Sequence, residues 1–503
     1  MIAAIPSATL LGVTGQPVTV EVHVGMGLPS FQMVGLPDSA CREARDRVRA
    51  AVLSSGLVWP SQRITVNLAP SGIRKLGSGL DLAIGVGVLV ASEQLEPERI
   101  EGLAFLGELG LDGTLRALPG VAPMAACRSD FTVVVPDGSW HEASAVSSGE
   151  VRCSSSLTVV MHALTGGRWP DPPPGPDASA DPVVPDLCEV RGQPWARLGL
   201  EIAAAGGHHL FMVGPPGSGK TMLAQRLVGL LPPLDPVTAL EATMAHSAAG
   251  QRLPRGGVVR VPPFRAPHHS SSMISLVGGG TASLRPGEVS LAHGGVLFLD
   301  ELGEYAPSVL DALRQPLEEG VIRVARAQAS TTLPARFQLV AATNPCPCGG
   351  GAPGSCECDE GARARYFRRF TGPLLDRFDL RVGVERTAVD DLIGTDDAEP
   401  TVVVAARVAA ARTRAIERGG LLNAALGPSA LDRLAPLTPA ATQLLRGELE
   451  RDRLTGRGLH RVRRVARTIA DLQGGPEFVD DEHITLALQL RVRVGRSVGR
   501  GAA

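Results

Sequence analysis

Phe211-Met-Val-Gly-Pro-Pro-Gly-Ser-Gly-Lys-Thr221 is the stretch whose reading decides the fold. An apolar run breaks into glycines, and Gly214, Pro215, Pro216, Gly217, Ser218, Gly219, Lys220 and Thr221 fit the pattern G-x-x-x-x-G-K-[ST]. That pattern wraps backbone N–H groups around a triphosphate, sends an ammonium to the β and γ oxygens, and offers a hydroxyl to Mg²⁺. Glycines allow it because no Cβ keeps the backbone away from the anion. Met222-Leu-Ala-Gln-Arg-Leu-Val-Gly-Leu-Leu231 follows with helical character, so the positive end of a helix faces the phosphates. Lysine stands only at Lys75 and Lys220, all other strong bases being arginine, so the lysine here is a choice of chemistry.

Downstream, Gly294-Gly-Val-Leu-Phe-Leu-Asp-Glu301 reads as a buried parallel strand ending in two acids where a ligand would meet the sheet. Asp300 is expected to hold Mg²⁺ through water and Glu301 to polarise the attacking water. The competing reading is a capping acid before a helix over residues 304–318. Phe337-Gln-Leu-Val-Ala-Ala-Thr-Asn344 is the next apolar strand, and Asn344 at its end can contact the γ-phosphate or the water, or serve only as a turn residue.

The 503 residues exceed one hydrophobic core, so an α/β multidomain protein of two to four domains is expected. A hydrophobic fraction of 44% suffices for globular packing, and a net charge of −2 excludes a bulk polycation, which leaves nucleic acid to a local basic surface. No apolar run is long enough for a membrane span, and eight unevenly spread cysteines point to the reducing cytoplasm. Residues 1–165 read as α+β, with strands at Val18–Val24 and Ile64–Leu68 and helices at Ser39–Ser54 and Leu80–Val90. Residues 166–185 form a Pro/Gly-rich linker. Residues 186–390 carry the nucleotide motifs, after a helix over Pro194–Ala205 and a strand over His209–Val213. Residues 391–503 are helical in pattern, with candidates at Val402–Arg418, Thr438–Leu454, Arg457–Gln473 and Asp480–Val494.

Asn67-Leu-Ala-Pro70, Lys75-Leu-Gly-Ser-Gly-Leu-Asp-Leu82 and Gly107-Glu-Leu-Gly-Leu-Asp-Gly-Thr-Leu-Arg116 resemble the C-terminal domain of Lon-type proteases, a ribosomal S5 domain 2-like fold. Those proteases activate a serine with a downstream lysine of lowered pKa. Here the serine position falls on Gly79, with Ser78 one place off register, and the lysine position falls near Ala122. No lysine stands between Lys75 and Lys220, so the dyad cannot form and the domain reads as a scaffold or interaction module.

The later motifs resemble AAA+ ATPases, which implies a P-loop αβα core with a C-terminal helical lid. By that resemblance Asn344 is the first sensor residue, and Gly372-Pro-Leu-Leu-Asp-Arg-Phe-Asp379 presents Arg377 as an arginine finger to a neighbouring subunit. Surface pairing of Arg377 with Asp376 or Asp379 is the alternative. Arg457 matches the second sensor arginine of the magnesium-chelatase branch, with Arg461 as runner-up; Arg461, Arg464 and Arg467 also fit a solvated basic helix face. Pro263-Phe-Arg-Ala-Pro-His-His-Ser-Ser-Ser-Met273, Leu276-Val-Gly-Gly-Gly280 and Arg285-Pro-Gly-Glu-Val-Ser-Leu-Ala-His293 extend the similarity, over nearly the whole chain, to magnesium-chelatase-like ATPases of the YifB and ComM type. The resemblance implies ATP and Mg²⁺ as cofactors, a homohexameric ring, and DNA as partner, with ComM members associated with branch migration during natural transformation. Arg260 to His269 would then form a hairpin into the ring pore, or pack at a subunit interface. Cys346, Cys348, Cys356 and Cys358 form a C-x-C…C-x-C pair suited to tetrahedral Zn²⁺, with reduced thiols or a disulfide as alternatives. Competing functions are a chelatase subunit, against which the Lon-like front argues, a protein-remodelling ATPase, and a protease, which the missing lysine opposes.

Overall fold

Strands buried on both faces need mostly apolar side chains, and the three central runs around the glycine loop meet that demand, while the two edge strands carry Arg265 and Arg381. In the computed structural model, which describes residues 1–174, 184–254, 256–280, 284–326, 329–350, 356–368, 374–393 and 398–492, they form one five-stranded sheet. Phe264–Arg265, Val296–Leu299, Gln338–Thr343, Leu210–Val213 and Leu380–Gly383 lie in that order, all parallel. Alternate side chains feed opposite cores. Leu210, Met212, Val296 and Phe298 pack with Leu200, Leu227 and Val465, while Phe211, Leu297 and Leu299 pack with Tyr305, Leu310 and Phe378. The register sets Val213 opposite Thr343 and Leu299 opposite Ala341, so the strands before the glycine loop, the acids and Asn344 finish along one edge.

The expected helix over 304–318 is broken in two, Pro307–Ala312 and Arg314–Glu319, after a 3₁₀ turn at Leu302–Glu304. Pro316 has no N–H to carry a single helix through. The pore hairpin is corrected too. Phe264–Arg265 is the edge strand of the sheet, and Arg265 is held by a two-pronged ion pair to Glu288 at 2.6 and 2.9 Å. An antiparallel hairpin does exist nearby, Val321–Arg326 with Ala329–Pro334.

C-terminal helices span Thr401–Gly419, Pro439–Glu450, Gly456–Leu472 and Asp481–Gln489. The expected run of the last one to Val494 reaches residues 493 and 494, which lie outside the described residues, as do 175–183 of the linker and Gly372 and Pro373 of the finger motif. Gly456–Leu472 sets Val462, Val465, Ala466 and Ile469 into the core. Its arginines do not form a solvated face: Arg461 lies 3.5 Å from Asp379, Arg464 donates to Leu426 O, and Arg467, 1% exposed, pairs with Asp471. Arg467 is buried and Arg461 and Arg464 half-buried; cations so placed persist only where partners offset their lost hydration, and all three have partners.

In the front region Ile2–Leu11, Thr14–Gly25 and Arg63–Ala69 form an antiparallel set, and Ser30–Val34 joins parallel to the last. Ser39–Ser54 is a helix with the expected ends, because Asp38 caps it by accepting from Cys41 N at 2.8 Å. Every residue of the helix Asp81–Ala91 is buried. Leu103–Phe105, Thr132–Pro136 and Val151–Ser154 make a second, parallel sheet. Gly120 N and Ala122 N donate to Ser247 O and Oγ, at 2.8 and 3.2 Å, and so join this region to the helix Pro236–Ala248. Among the described residues no helix is long and apolar enough to cross a membrane.

Candidate nucleotide site

The strand Leu210–Val213 ends where only glycine fits, since a Cβ on Gly214 would sit 2.1 Å from Val384 O. Gly217 and Gly219 have φ of +74° and +87°, and a Cβ on either would meet nothing within 4 Å, so the loop surrounds an open hollow at the start of the helix Lys220–Leu230. Ser218 is 4% exposed, yet its buried Oγ has no protein partner. A hollow at a helix N-terminus with an orphaned hydroxyl fits a triphosphate.

Lys220 Nζ donates to Gly214 O at 2.7 Å, Pro215 O at 2.8 Å and Asn344 Oδ1 at 3.3 Å. Burial lowers its pKa, and the carboxylates of Asp300 and Glu301 oppose that shift. Thr221 Oγ1 donates to Asp300 Oδ2 at 2.7 Å, so a hydroxyl and a carboxylate face each other with the hard oxygen donors that Mg²⁺ takes. The structure thus brings Gly214–Thr221, Asp300, Glu301 and Asn344 into one cluster. Glu301 has a φ of +50°, a left-handed backbone that costs a non-glycine residue about 1 kcal/mol or more. Its amide donates to Asp300 Oδ1 at 2.9 Å, and its Oε2 lies 3.3 Å from His269 Nδ1. His269, expected from sequence in a pore hairpin or at a subunit interface, therefore sits on the second acid, a contact that no spacing in the chain announces.

Beside the loop, Glu189, Val190, Gln193, Ser218, Met222 and Thr387 line a cavity of about 280 Å³, near the lower bound for ligand pockets and suited to a base. Ser218 belongs to the glycine motif, but no motif marks the other five, so sequence reading missed them. Gln193, at φ +60°, reaches back to donate to Ser218 O at 3.5 Å and to Glu385 O.

The structure joins neither Arg377 nor Arg457 to this cluster by a hydrogen bond or ion pair among the described residues. Arg377, in the 3₁₀ turn Leu375–Arg377, pairs with Glu318 rather than with Asp376 or Asp379. Asp379 is engaged by His208 at 2.9 Å, and Asp376 lies 3.8 Å from Arg381. Arg457 stands exposed in the first turn of Gly456–Leu472. Cys346, Cys348, Cys356 and Cys358 do converge: one sulfur from each lies within 4.8 Å of the others, and none of the eight cysteines is in a disulfide.

In the front region Ser78 Oγ is bonded to Glu108 and Lys75 Nζ to Pro70 O, so no serine and lysine pair is made there.

The family described as magnesium chelatase, subunit ChlI, matches residues 186–392; subunit ChlI of Mg-chelatase matches 20–138, and its C-terminal part 398–491. An uncharacterized protein of Mycobacterium tuberculosis is 45% identical over 96% of this chain and 97% of its own. The uncharacterized protein YifB of Escherichia coli is 41% identical over 96% and 95%, and competence protein ComM of Haemophilus influenzae 41% over 98% of each. With that identity along almost its whole length, and the same three segments in order, the chain belongs to the magnesium-chelatase-like proteins of the YifB/ComM family.

Proposed function

We propose that the chain binds ATP with Mg²⁺ and hydrolyses it as one subunit of a homohexameric AAA+ ring that moves on DNA. One observation carries the ATPase reading: Lys220, Thr221, Asp300, Glu301 and Asn344 meet at the carboxyl edge of a single parallel sheet. Lys220 and the N–H groups of Gly217 to Thr221 hold the phosphates, and Thr221 and Asp300 would hold Mg²⁺, which would supply charge neutralisation. Glu301 accepts a proton from the attacking water, and Asn344 orients that water or the γ-phosphate. His269 keeps Glu301 in place.

Arg377 exchanges Glu318 for the phosphate of a neighbouring copy, and Arg457 approaches from the lid. Both stay away from their own chain's cluster, as expected of groups that a ring or a lid closure delivers. The DNA reading rests on similarity to ComM over 98% of each chain. Its test is the ATPase rate of the purified chain with and without single-stranded, duplex and branched DNA. Stimulation by one of them is expected; a flat response contradicts the DNA reading and favours protein remodelling.

A further inference from the structure

Two residues beyond Asn344 the chain folds into a knuckle, Cys346-Pro-Cys-Gly349, closed by Gly349 N donating to Cys346 O at 3.0 Å. Sulfur separations are 3.3 Å for Cys346 to Cys348, 3.7 Å for Cys348 to Cys356 and 3.5 Å for Cys356 to Cys346. A disulfide would bring two sulfurs to about 2.05 Å. Four thiolates about 2.3 Å from one zinc ion stand about 3.8 Å apart along the edges of a tetrahedron, close to what is found. Gly350 N–H donates to Cys348 Sγ at 3.5 Å, and the guanidinium of Arg363 lies beside Cys356, so donors face sulfurs that would carry negative charge.

The knuckle is pressed against the nucleotide cradle. Gly349 is buried at φ +80°, and a Cβ on it would lie 2.8 Å from Cδ and Cγ of Pro216 in the phosphate loop. On the other side, the helix Glu360–Arg368 begins two residues after Cys358, and its Tyr366 hydroxyl is 2.8 Å from Thr343 Oγ1, next to Asn344. Four ligands therefore tie together the end of the sensor strand, the phosphate loop and a helix.

We propose that Cys346, Cys348, Cys356 and Cys358 hold one zinc ion, and that this ion, by fixing the knuckle against Pro216 and behind Asn344, sets the rate of ATP hydrolysis. The thiols bind as thiolates, so loading releases their protons to solvent and involves no electron transfer. The second half of the proposal rests on the ATPase reading.

The test begins with the zinc content of the full chain purified from zinc-supplemented cells. About one zinc per chain is expected, and the double variant Cys348→Ser with Cys358→Ser should lose it. Because thiol loss can unfold a loop, the wild-type chain is also stripped by chelator and titrated with cobalt, which should give the absorption of a tetrahedral tetrathiolate that zinc then displaces. Gly349→Ala keeps all four thiols, so zinc should stay bound while turnover falls about tenfold, with ATP affinity changed far less. Zinc absent while all four thiols react freely, or thiols lost in pairs as disulfides, overturns the site. Bound zinc whose removal leaves turnover unchanged, with Gly349→Ala as fast as wild type, overturns the coupling. Zinc content and the cobalt spectrum need no nucleotide, so a zinc-loaded chain that hydrolyses no ATP overturns the ATPase reading and with it the coupling. An active ATPase without zinc overturns the site and the coupling and leaves the ATPase reading standing.

Discussion

The two lysines of this chain lie in two buried places, and we propose that only one of them is built for an anion. Lys220 is 8% exposed at the mouth of a helix, held by two loop carbonyls and Asn344, with Asp300 and Glu301 nearby. Lys75 is fully buried, its Nζ donates to Pro70 O, and Cys41 Sγ faces its backbone. In both places burial lowers the pKa, so a displaced pKa does not tell them apart. What differs is the surroundings. Around Lys220 there is a helix N-terminus with an orphaned Ser218 hydroxyl, while beside Lys75 the Ser78 hydroxyl is already taken by Glu108. A buried ammonium marks function when the space beside it is shaped for a partner the chain itself does not supply.

The largest effect is expected at Lys220. Lys220→Ala should weaken ATP binding by roughly 100-fold or more, read with a fluorescent ATP analogue, because a charge-assisted contact to the phosphates is lost while the fold stays. Next comes Glu301→Gln, expected to retain ATP but to slow turnover by about 10²- to 10⁴-fold in single-turnover assays; a normal rate would move the base elsewhere. Lys75→Met should have the smallest effect. Turnover should stay within about twofold, and the melting temperature should move by only about 5 °C, since relief of a buried charge offsets an unpaired Pro70 carbonyl. A pH series sharpens this last case. The folded-state pKa of Lys75 lies below 10.5, so between the two values the unfolded chain binds the extra proton. Wild-type stability should therefore rise with pH through that window, and the Met variant should lose that rise.

Much of the sheet could be read from the chain because local chemistry announces it. Val296–Leu299 and Gln338–Thr343 are buried throughout and end in the polar groups that the site uses. The helix Ser39–Ser54 was legible from its apolar periodicity, and the structure adds the Asp38 cap. The edge strand Phe264–Arg265 was not, since two residues between prolines carry no period and exist only through pairing with Val296–Leu297. Nor was the hairpin Val321–Pro334, where Arg323, Thr331 and Thr332 dilute the apolar alternation. In the site, the motif residues were legible one by one, but their neighbours were not. The contacts of His269 with Glu301 and of Gly349 with Pro216 join segments far apart in sequence, and Arg461 finds Asp379 only after the chain has folded. The spacing of Arg461, Arg464 and Arg467 suggested a wet face because periodicity records which residues share a side, without recording what covers it.

We propose that the Lys220 cradle is half of a composite ATP site, completed by Arg377 of a second copy. Its most direct test is the ATPase rate of Arg377→Ala and Glu301→Gln chains, each alone and then mixed in varied ratio. Each alone should be about 10³-fold slower than wild type. Mixing should restore a substantial part of the rate, because an intact Glu301 in one chain then meets an intact Arg377 from its neighbour. No recovery at any ratio, in chains shown to co-assemble, would contradict the account.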